Sequence, residues 1–484
     1  MTMRPAKIFR EVSFRKLYGT FDTKIEGINH DSRKVEPGDI FVAIQGENVD
    51  GHEYIGQALK KGAALVVGER NYSDLDFQPP RYVQAQDSRE ALSKLSDAFF
   101  DHPSQKLFAV GITGTNGKTT TAHLVSEVLG REKTALISTI NNPQRSGEKG
   151  PVTTPEAPVL HRRAARALNS GKKNFVMEVS SHSLAFKRVS TIEFNCGIFT
   201  NLTRDHLDYH QTLEDYKATK LRLFENLPDH GFALINADEK FSSSFKRASK
   251  GKVLTYAIDE PADLRGVDIQ KTPGKLEFSV KGKSLNLRIE LGLLGSFNVY
   301  NALAAVGVGL VKGLEPDEIE ARLRSHDSLP GRMERFQLPN GADAVVDFAH
   351  NPGALKTALK ELRQHYGGVY VVFGCGGDSD KGKRPLMGKF ASRHADYSVI
   401  TNDNPKGEDP KEITDQIREG FDSHSRFDVI RDRSTAIKKA ASRAGAGDVI
   451  LVAGKGHERY QIIDGQWLEY SDRQVLVEEL GASQ

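Results

Sequence analysis

Cysteine is scarce in this chain, and long apolar runs are absent. Only two cysteines, Cys196 and Cys375, occur in 484 residues. This number excludes a disulfide framework or a cysteine-rich metal site and predicts two buried, reduced thiols. No stretch approaches the roughly 18–20 apolar residues of a membrane-spanning helix, and the basic N-terminal segment lacks the apolar region of a secretory signal. These absences predict a cytoplasmic protein with no membrane partner.

The chain also lacks an excess of charge of one sign. Lysine and arginine (67) nearly balance aspartate and glutamate (64), which leaves a net charge of +3. So small an excess forms no basic stripe and predicts no nucleic-acid partner. Apolar residues make up 38% and charged residues 27%, as in a soluble globular enzyme. Because a compact domain holds about 100–200 residues, the length predicts three domains.

Strand-like apolar runs alternate with helical patterns through most of the chain, which is typical of α/β architecture with parallel sheets. Breaks in the alternation predict three units, residues 1–103, 104–331 and 332–484. After residue 250 polar and apolar residues alternate, which predicts an antiparallel extension of the middle sheet. Since ligands bind at the carboxyl ends of strands in open α/β sheets, we expect the chemistry at those ends.

The segment GITGTNGKTT, residues 111–120, lies between an apolar strand and a helical pattern. Glycines let backbone N–H groups surround phosphate oxygens, and the helix N-terminus that follows favours negative charge. The segment therefore predicts an ATP site in which Lys118 contacts the β- and γ-phosphates and the Thr119 hydroxyl binds Mg²⁺. The strict spacing requires glycine at position 112, where this chain has Ile112, so the loop is a variant.

The variant loop GTNGKTT resembles that of the Mur ligases and of their folylpolyglutamate synthase relatives. Motifs across nearly the whole chain are similar to those of the MurE branch of the Mur ligase family. They are MEVSSHSL (177–184), FTNLTRDHLDYH (199–210), INADE (235–239), GSFNVYNALAA (295–305), GRMER (331–335), DFAHNP (347–352), GCGGDSDKGKRP (374–385), DNPKGEDP (403–410) and VAGKGHE (452–458).

This resemblance implies an architecture and a reaction. The architecture is a central P-loop-type ATPase domain with a parallel sheet, flanked by a small α/β N-terminal domain for the UDP substrate and a Rossmann-like C-terminal domain for an amino acid. The reaction is ATP-dependent, ADP-forming ligation of the third stem residue to UDP-N-acetylmuramoyl-L-alanyl-D-glutamate. It belongs to peptidoglycan precursor synthesis and so to cell-wall biogenesis, cell shape and cell division. Only small-molecule substrates and a monomeric protein are expected.

Amide synthesis from a carboxylic acid needs a better leaving group than hydroxide. ATP can supply one by phosphorylating the carboxylate to an acyl phosphate, which an amine then attacks. The protein must align and neutralise anionic groups, mainly with metal ions and cations. Glu178 ends an apolar strand and offers the oxygen donors that magnesium prefers. The resemblance implies the catalytic residues Lys118, Glu178, His206 and Lys220, and the magnesium ligands Thr119, Glu178, His206 and a carbamylated Lys220.

The resemblance also implies the residues that contact ATP and the nucleotide sugar. Asn298 and Asp347 resemble the adenine and ribose contacts, and Arg332 resembles an arginine that reaches the phosphates. The implied ATP contacts are Gly114, Thr115, Asn116, Gly117, Lys118, Thr119, Thr120, Asn298, Arg332 and Asp347. The implied contacts to UDP-N-acetylmuramoyl-dipeptide are Ser32, Thr153, Thr154, Ser180 and Arg188. The family often has glutamine where this chain has Phe186, so one hydrogen bond to this substrate is not expected.

The amino acid is expected to meet residues that follow strands of the third unit. The implied contacts are Ser379, Asp403, Asn404, Pro405, Lys406, Gly454 and Glu458. Family members that add meso-diaminopimelate usually have arginine at position 406, and lysine-adding members a neutral residue. Lys406 keeps the charge without the bidentate fork and would repel a lysine ammonium, which favours meso-diaminopimelate over L-lysine. Ser379 replaces a usual carboxylate-binding arginine, so either Lys381 or Lys383 substitutes or the pocket accepts something unusual.

Two other functions fit parts of the sequence. A folylpolyglutamate synthase would share the phosphate loop but gives no reason for HDSR (30–33) in an N-terminal domain, or for DNPK with GKGHE. A non-catalytic nucleotide-binding scaffold would tend to lose the metal ligands, which are all present. A GTPase would show N-K-x-D for guanine, and the chain lacks it. The Mur-type ligase is therefore the preferred hypothesis, with domain closure around three substrates.

Overall fold

The structure is a computed structural model of an α/β protein with three main sheets. The residues that it describes are 3–4, 8–9, 12–46, 49–141, 153–324 and 328–484. Most neighbouring strands within each main sheet are parallel, which confirms the predicted fold class. Among the described helices, none has the length and apolar character needed to cross a membrane. Both cysteines are buried free thiols, as expected.

The N-terminal unit contains β1 (Phe14–Tyr18), β2 (Gly27–Asn29), β3 (Asp39–Val42), α1 (Ile55–Lys60), β4 (Leu65–Gly68), β5 (Tyr82–Ala85) and α2 (Ser88–Phe99). Its sheet has the order β1-β5-β4-β3-β2, and only β1 is antiparallel to its neighbour. The central strands are buried along their whole length because apolar clusters cover both faces of the sheet.

The middle unit contains β6 (Phe108–Thr113), α3 (Lys118–Val128), β7 (Thr134–Ile137), α4 (Ala157–Asn169), β8 (Asn174–Glu178), α5 (Ser181–Ala185), β9 (Cys196–Phe199), α6 (Leu207–His210), α7 (Leu213–Glu225), β10 (Phe232–Asn236), α8 (Ser242–Ala248), β11 (Lys252–Ala257), β12 (Leu264–Thr272), β13 (Lys275–Gly282), β14 (Leu285–Leu291), α9 (Phe297–Val311) and α10 (Pro316–Arg324).

These strands form one nine-stranded sheet with the order β14-β13-β12-β11-β10-β9-β6-β8-β7. Strands β12, β13 and β14 pair antiparallel, which confirms the predicted extension, and β13 alternates buried and more exposed positions. The chain leaves β6 toward β7 on one side and later crosses to β9 on the other. Such a reversal opens a crevice at the carboxyl end of β6, directly where the glycine-rich loop begins.

The C-terminal unit contains β15 (Glu334–Gln337), β16 (Asp343–Asp347), α11 (Pro352–Leu362), β17 (Gly368–Phe373), α12 (Lys383–His394), β18 (Tyr397–Ile400), α13 (Pro410–Arg418), β19 (Phe427–Val429), α14 (Arg433–Ala441), β20 (Asp448–Ala453), β21 (Tyr460–Ile463), β22 (Gln466–Glu469) and α15 (Asp472–Gln474). Its sheet has the order β15-β16-β20-β17-β18-β19, with only β15 antiparallel, and β21 and β22 form a separate hairpin. Apolar clusters cover both faces of this sheet.

Candidate active site

A cavity of ≈ 800 Å³ lies at the carboxyl ends of the parallel strands of the nine-stranded sheet. Its wall combines the turns after β6, β7 and β9 with the segment after β16, so the middle and C-terminal units both contribute. Many residues singled out in the sequence face this volume. They are Thr115, Asn116, Gly117, Lys118, Thr119, Thr120, Thr153, Glu178, His206, Asn298, Arg332 and Asp347.

The turn after β6 has a backbone shape that requires glycine at residue 114. Gly114 has φ +149°, and a Cβ atom there would lie 1.9 Å from Thr200 Oγ1. Gly117 has φ +83° and precedes the first residue of α3. Lys118 Nζ donates to the carbonyl oxygens of Gly114 and Thr115 at 3.1 and 2.8 Å, and burial lowers its pKa. An ammonium group beside a helix N-terminus forms a site suited to an anion.

Glu178, the last residue of β8, presents an almost fully buried carboxylate. Its Oε1 accepts hydrogen bonds from the backbone N–H of Thr139 at 2.7 Å and from the Thr139 hydroxyl at 3.2 Å. Within the described residues, no lysine, arginine or histidine forms an ion pair with it. A buried carboxylate held only by neutral donors is stabilised by a cation, and its oxygens suit magnesium.

His206 directly precedes α6 on the wall of the same cavity, with an unusual φ of +53°. Burial lowers its pKa to about 3, although the neighbouring Asp205 acts in the opposite direction. The imidazole is therefore neutral at physiological pH, which is the form that can bind a metal ion through a ring nitrogen. The His182 ring packs edge-on against it, with 5.1 Å between the ring centroids.

Lys220, in α7, lies behind the phosphate loop and does not line the cavity. Its Nζ donates to Gly114 O at 2.9 Å and lies 4.4 Å from the centroid of the Tyr216 ring. Burial lowers its pKa well below the ordinary value, and the nearby charge of Lys118 adds to that effect. Burial thus favours the neutral amine, which is the nucleophilic form of lysine.

Two side chains of the C-terminal unit, Arg332 and Asn351, join it to the middle unit beside the loop. Arg332 Nη2 donates to Thr119 Oγ1 at 2.9 Å, while the buried Arg332 Nε has no hydrogen-bond partner among the described residues. Asn351, fully buried at the start of α11, donates to Asn116 Oδ1 at 3.0 Å and to Asp205 Oδ2 at 3.2 Å. The junction therefore keeps donor capacity for an anionic ligand.

Asn298 and Asp347 are the cavity residues with implied adenine and ribose roles. Asn298 donates to Leu294 O at 2.9 Å and accepts from Asn301 Nδ2 at 2.8 Å. Asp347 accepts from the backbone N–H of Met333 at 2.8 Å, and burial raises its pKa. Neighbouring groups thus hold both side chains in place on the cavity wall.

The residues with an implied role in nucleotide-sugar binding form two groups. Ser32, in the N-terminal unit, donates to Gln57 Oε1 at 2.7 Å. Thr154, Ser180 and Arg188 lie together in the middle unit, because the Thr154 hydroxyl accepts from Ser180 N at 3.1 Å and Arg188 Nη1 donates to Thr154 O at 3.0 Å. The Thr154 hydroxyl also donates to Glu178 O at 2.8 Å, which ties this second group to the cavity.

The residues with an implied role in amino-acid binding lie outside the cavity, after β17, β18 and β20. Lys455, Asn404 and Glu458 form a hydrogen-bonded cluster, in which Lys455 Nζ donates to Asn404 Oδ1 at 3.0 Å and to Glu458 Oε2 at 2.9 Å. Lys406 has φ +56° and no ion-pair partner among the described residues. We call Asn404, Lys406, Lys455 and Glu458 the amino-acid group. The neighbouring Asp403 is buried.

Two glycines near this group have no room for a side chain. A Cβ atom at Gly454 would lie 2.4 Å from Asp403 Oδ2, and a Cβ atom at Gly377 would lie 1.9 Å from Pro405 O.

Three family profiles match this chain along most of its length. They are described as "Mur ligase family, catalytic domain" (residues 24–100), "Mur ligase middle domain" (residues 112–309) and "Mur ligase, glutamate ligase domain" (residues 331–456). A UDP-N-acetylmuramoyl-L-alanyl-D-glutamate--2,6-diaminopimelate ligase of Syntrophomonas wolfei is 37% identical over 490 residues, covering 99% of each chain.

The chain belongs to the Mur ligase family.

Further similarities concern another relative and a solved structure. A ligase of the same name from Parabacteroides distasonis is 41% identical over 477 residues, covering 97% of each chain. A solved structure of a UDP-N-acetylmuramoyl-L-alanyl-D-glutamate--2,6-diaminopimelate ligase superimposes with a TM-score of 0.66 at 30% identity and covers 99% of both chains. The Mur ligase likeness thus extends over the N-terminal, middle and C-terminal units together.

This Mur ligase departs from the family pattern at Phe186, and the structure gives a physical account of the change. The Phe186 ring lies between two guanidinium groups, with Arg89 at 4.3 Å and Arg188 at 5.4 Å from its centroid. Cation–π contacts of this kind stabilise an arginine without a hydrogen bond. Phe186 therefore helps hold Arg188 in the middle unit and links it to Arg89 of the N-terminal unit.

The second departure, Ser379, leaves a short hydroxyl that donates to Gly376 O at 2.9 Å. Of the two lysines considered as substitutes, Lys381 is mostly exposed and lies 3.6 Å from Glu408 Oε2. Lys383 is buried at the start of α12 and has no ion-pair partner among the described residues. Of the two lysines, Lys383 is thus the one without a fixed counter-ion among the described residues.

Sequence reasoning did not single out Thr139, Asp205 or Asn351. Burial raises the pKa of Asp205, but the neighbouring His350 and His206 outweigh burial and hold that pKa below its usual range. Asp205 thus stays ionised in the junction and accepts from Asn351. Asp205, in TRDH, and Asn351, in DFAHNP, lie soon after strands β9 and β16. Their position near strand ends is the feature of the sequence that could have indicated a role at the site.

Asn351→Ser tests the junction between the middle and C-terminal units. Serine keeps the cap that Asn351 Oδ1 provides to Ala354 N, but it cannot reach Asn116 and Asp205. The lost interaction, about 1–3 kcal/mol, corresponds to a roughly 5- to 150-fold lower kcat/KM for ATP. Steady-state kinetics with ATP as the varied substrate, together with thermal unfolding, would measure the change.

Asn340→Ser is the matched control for this variant. Asn340 also donates two side-chain hydrogen bonds, to Ala441 O and Ala444 O, but both lie within the C-terminal unit. We expect its kcat/KM for ATP to stay near the unaltered value. Equal kinetic losses in the two variants would contradict a specific role for Asn351 in joining the units.

Proposed function

We propose that this chain joins meso-2,6-diaminopimelate to UDP-N-acetylmuramoyl-L-alanyl-D-glutamate through an ATP-dependent amide bond, as a step in peptidoglycan precursor synthesis. One observation carries the proposal: the phosphate loop, Glu178, His206 and Arg332 face a single cavity formed by two units. Relatives of that name are 37–41% identical over nearly the whole chain, which supports the same substrates here. We further infer a cytoplasmic monomer that acts on small molecules only.

The reaction proceeds in two steps at this cavity. A carboxylate oxygen of the D-glutamyl residue attacks the γ-phosphorus of ATP, and the bond to ADP breaks. The amine of the incoming amino acid then attacks the carbonyl carbon, a proton leaves the nitrogen, and phosphate departs. Lys118 and Arg332 supply positive charge where the phosphates lie, and the loop N–H groups orient them.

Magnesium fits the donors that these residues present. Thr119 offers a hydroxyl oxygen, Glu178 a carboxylate whose hydrogen bonds come from neutral Thr139 donors, and His206 a neutral imidazole. Within the described part of the chain, no cluster of three histidine, cysteine or acidic side chains is close enough to hold an ion alone. The remaining ligands would be substrate oxygens, and the ion would supply charge neutralisation at the phosphates.

Lys220 is proposed to be carbamylated in the active protein. Its amine is fully buried, lies beside the loop and has a strongly lowered pKa, so it is available to react with carbon dioxide. The nitrogen attacks the carbon of CO₂, one N–H proton is released, and a carbamate anion forms. That change would turn a buried amine into an anion with oxygen donors for magnesium, and it would relieve the unfavourable proximity of the Lys118 and Lys220 amines.

The three units, residues 1–103, 104–331 and 332–484, are proposed to bind the nucleotide sugar, ATP and the amino acid in turn. Ser32 would contact the uridine part of the nucleotide sugar, and Thr153, Thr154, Ser180 and Arg188 the muramoyl-peptide part. The hydrogen bond from the Thr154 hydroxyl to Glu178 O supports this assignment, because it connects the residues proposed to bind the muramoyl-peptide to the cavity. A folylpolyglutamate synthase activity gives no role to the N-terminal unit and is less favoured.

Lys406 is the residue proposed to select meso-diaminopimelate. Its ammonium has no ion-pair partner among the described residues, whereas the nearby Lys455 is already paired with Glu458 at 2.9 Å. A half-buried cation without a counter-ion favours a substrate with a distal carboxylate. Asp403, Asn404 and Glu458 would contact the distal ammonium, with Ser379, Pro405 and Gly454 shaping the pocket.

Phosphate release with UDP-N-acetylmuramoyl-L-alanyl-D-glutamate and ATP tests the proposed function directly. We expect release when meso-diaminopimelate is added and little with L-lysine or with no amino acid. Phosphate release with L-lysine alone would support the ligase activity but contradict the proposed specificity for meso-diaminopimelate. No phosphate release with any amino acid would contradict the ligase activity, and activity with folylpolyglutamate substrates would identify the alternative enzyme.

Lys406→Ala tests the selection of the distal carboxylate. Loss of a charged hydrogen bond of about 1.5–3 kcal/mol should raise the KM for meso-diaminopimelate roughly 10- to 150-fold. Lys406→Arg should keep a low KM because arginine also binds carboxylates. Lys411→Ala is the control, since Lys411 pairs with Asp415 on the exposed face of α13. An unchanged KM in Lys406→Ala would contradict the role.

Lys220→Arg tests carbamylation, because arginine keeps a positive charge but does not form the carbamate. With ¹³C-bicarbonate present, we expect a carbamate carbon signal in the unaltered protein and none in the variant, together with a loss of activity. Lys217→Arg, on the same helix beside Glu214, is the control and should keep the signal. A carbamate signal that survives in Lys220→Arg would show that another amine carries it.

A further inference from the structure

A fully buried ion pair lies beside the amino-acid group in the C-terminal unit. Arg433 begins α14 and Asp472 begins α15, and both side chains are 0% exposed. The guanidinium binds the carboxylate through two parallel bonds, Nε to Oδ1 at 2.7 Å and Nη2 to Oδ2 at 2.8 Å. Burial acts to lower the pKa of Arg433, but Asp472 outweighs burial and raises it. The pair is therefore fully charged and fixed in direction.

The same guanidinium also holds two strand ends. Its Nη2 donates to Ala453 O at 2.9 Å, and its Nη1 donates to Asn402 O at 3.4 Å. Ala453 directly precedes Gly454, and Asn402 directly precedes Asp403. Strands β20 and β18 are not neighbours, because β17 lies between them. One side chain thus sets the spacing between the two loops that carry the amino-acid group.

The hairpin β21–β22 fastens one of these loops from the other side. Gln461 Nε2 donates to Asp403 O at 3.0 Å, Ile462 N donates to Asn404 Oδ1 at 3.1 Å, and Ile462 O accepts from Lys406 N at 3.0 Å. The chain after the hairpin returns to the ion pair, where the Tyr470 hydroxyl donates to Asp472 Oδ1 at 3.0 Å. The ion pair, the hairpin and the loop therefore form one connected set of hydrogen bonds.

We propose that Arg433, oriented by Asp472, is a positioning residue that holds the loops 402–406 and 453–458 at the separation needed to bind the incoming amino acid. The proposal rests on the proposed ligase function. Arg433 itself is buried and acts only through backbone carbonyls. Hydrogen bonds weaken steeply when their length and angle depart from the ideal values, so a small change in loop spacing is enough to weaken binding of the amino acid.

The double variant Arg433→Met with Asp472→Leu separates positioning from stability. Replacing both partners of a buried ion pair by apolar residues of similar volume often leaves stability unchanged or raises it. The variant keeps a filled interior but loses the donors to Ala453 O and Asn402 O. We expect the KM for meso-diaminopimelate to rise roughly 10- to 100-fold, with kcat and the KM values for ATP and the nucleotide sugar within about twofold.

The chain offers a control in the same unit with the same pattern of bonds, although its arginine is partly exposed. Arg335 binds Asp343 through two bonds of 2.8 and 3.1 Å, and the Tyr366 hydroxyl donates to the same carboxylate. This second set joins β15 and β16 and touches neither loop of the amino-acid group. The double variant Arg335→Met with Asp343→Leu should leave the KM for meso-diaminopimelate within about twofold of the unaltered value.

Two milder variants decide the question if the Arg433 and Asp472 double variant does not fold. Tyr470→Phe removes one bond to Asp472, and Gln461→Leu removes the bond to Asp403 O, without leaving a charge unpaired. We expect smaller increases in the same KM, with thermal unfolding near that of the unaltered protein. An unchanged KM in both variants would overturn the proposal.

The outcomes distinguish this inference from the proposed function. Phosphate release by the unaltered protein, with an unchanged amino-acid KM in the folded Arg433 and Asp472 variant, would overturn the positioning role alone. A fall in kcat with all three KM values unchanged would also overturn it, since that pattern indicates no loss of amino-acid binding. No diaminopimelate-dependent release by the unaltered protein would contradict the proposed function and the inference together.

Discussion

Burial of charge at the junction of two units is the constraint on which the active-site arrangement depends. Lys118, Lys220 and Arg332 on one side, and Glu178 and Asp205 on the other, are withdrawn from water near the glycine-rich loop. Their charges are only partly paired, so they are held by backbone carbonyls, hydroxyls and amides. Charges held in this way in a low dielectric interact strongly with phosphate and metal ions and need little reorganisation when these bind.

The sheet topology explains why those charges meet. The strands that carry them run parallel, so their carboxyl ends lie at one edge of the sheet, and the reversal around β6 opens a crevice there. The C-terminal unit repeats the arrangement with a second parallel sheet, whose strand ends carry the amino-acid group. Asn351 and Arg332 bring the two edges together by bonding to residues of the phosphate loop. The two sheet edges thus lie close together at the phosphate loop.

The departures from the family pattern have different physical consequences. Phe186 stands where the family often has glutamine, and its ring packs against two guanidinium groups, those of Arg89 and Arg188. Lys406 keeps a positive charge on a left-handed residue whose backbone is fixed by the hairpin. Ser379 removes a positive charge, and the buried Lys383 is the nearest lysine in the chain without an ion-pair partner among the described residues. At positions 379 and 406 the departures thus concern the placement of positive charge.

Much of the fold and part of the site could be predicted from the sequence. Apolar periodicity and strand-end residues predict the α/β units, because burial on both faces demands apolar strands. The glycine-rich loop predicts an ATP site. The structure shows why glycine is needed there, because the backbone conformation of Gly114 leaves no room for a Cβ atom beside Thr200. The family resemblance supplied roles for Glu178, His206 and Lys220 that spacing alone does not give.

Other features needed the tertiary structure, because they depend on contacts between residues far apart in the chain. Asn351 reaches Asn116 across 235 positions, and Arg433 reaches Asp472 and two strand-end carbonyls. From the sequence, a buried asparagine or arginine cannot be distinguished from an exposed polar residue beside a helix. The sequence by itself determined which groups could do the chemistry, through local backbone shape and apolar pattern. Only the packing of the units decided which of those groups are buried together, and burial sets their charge and their partners.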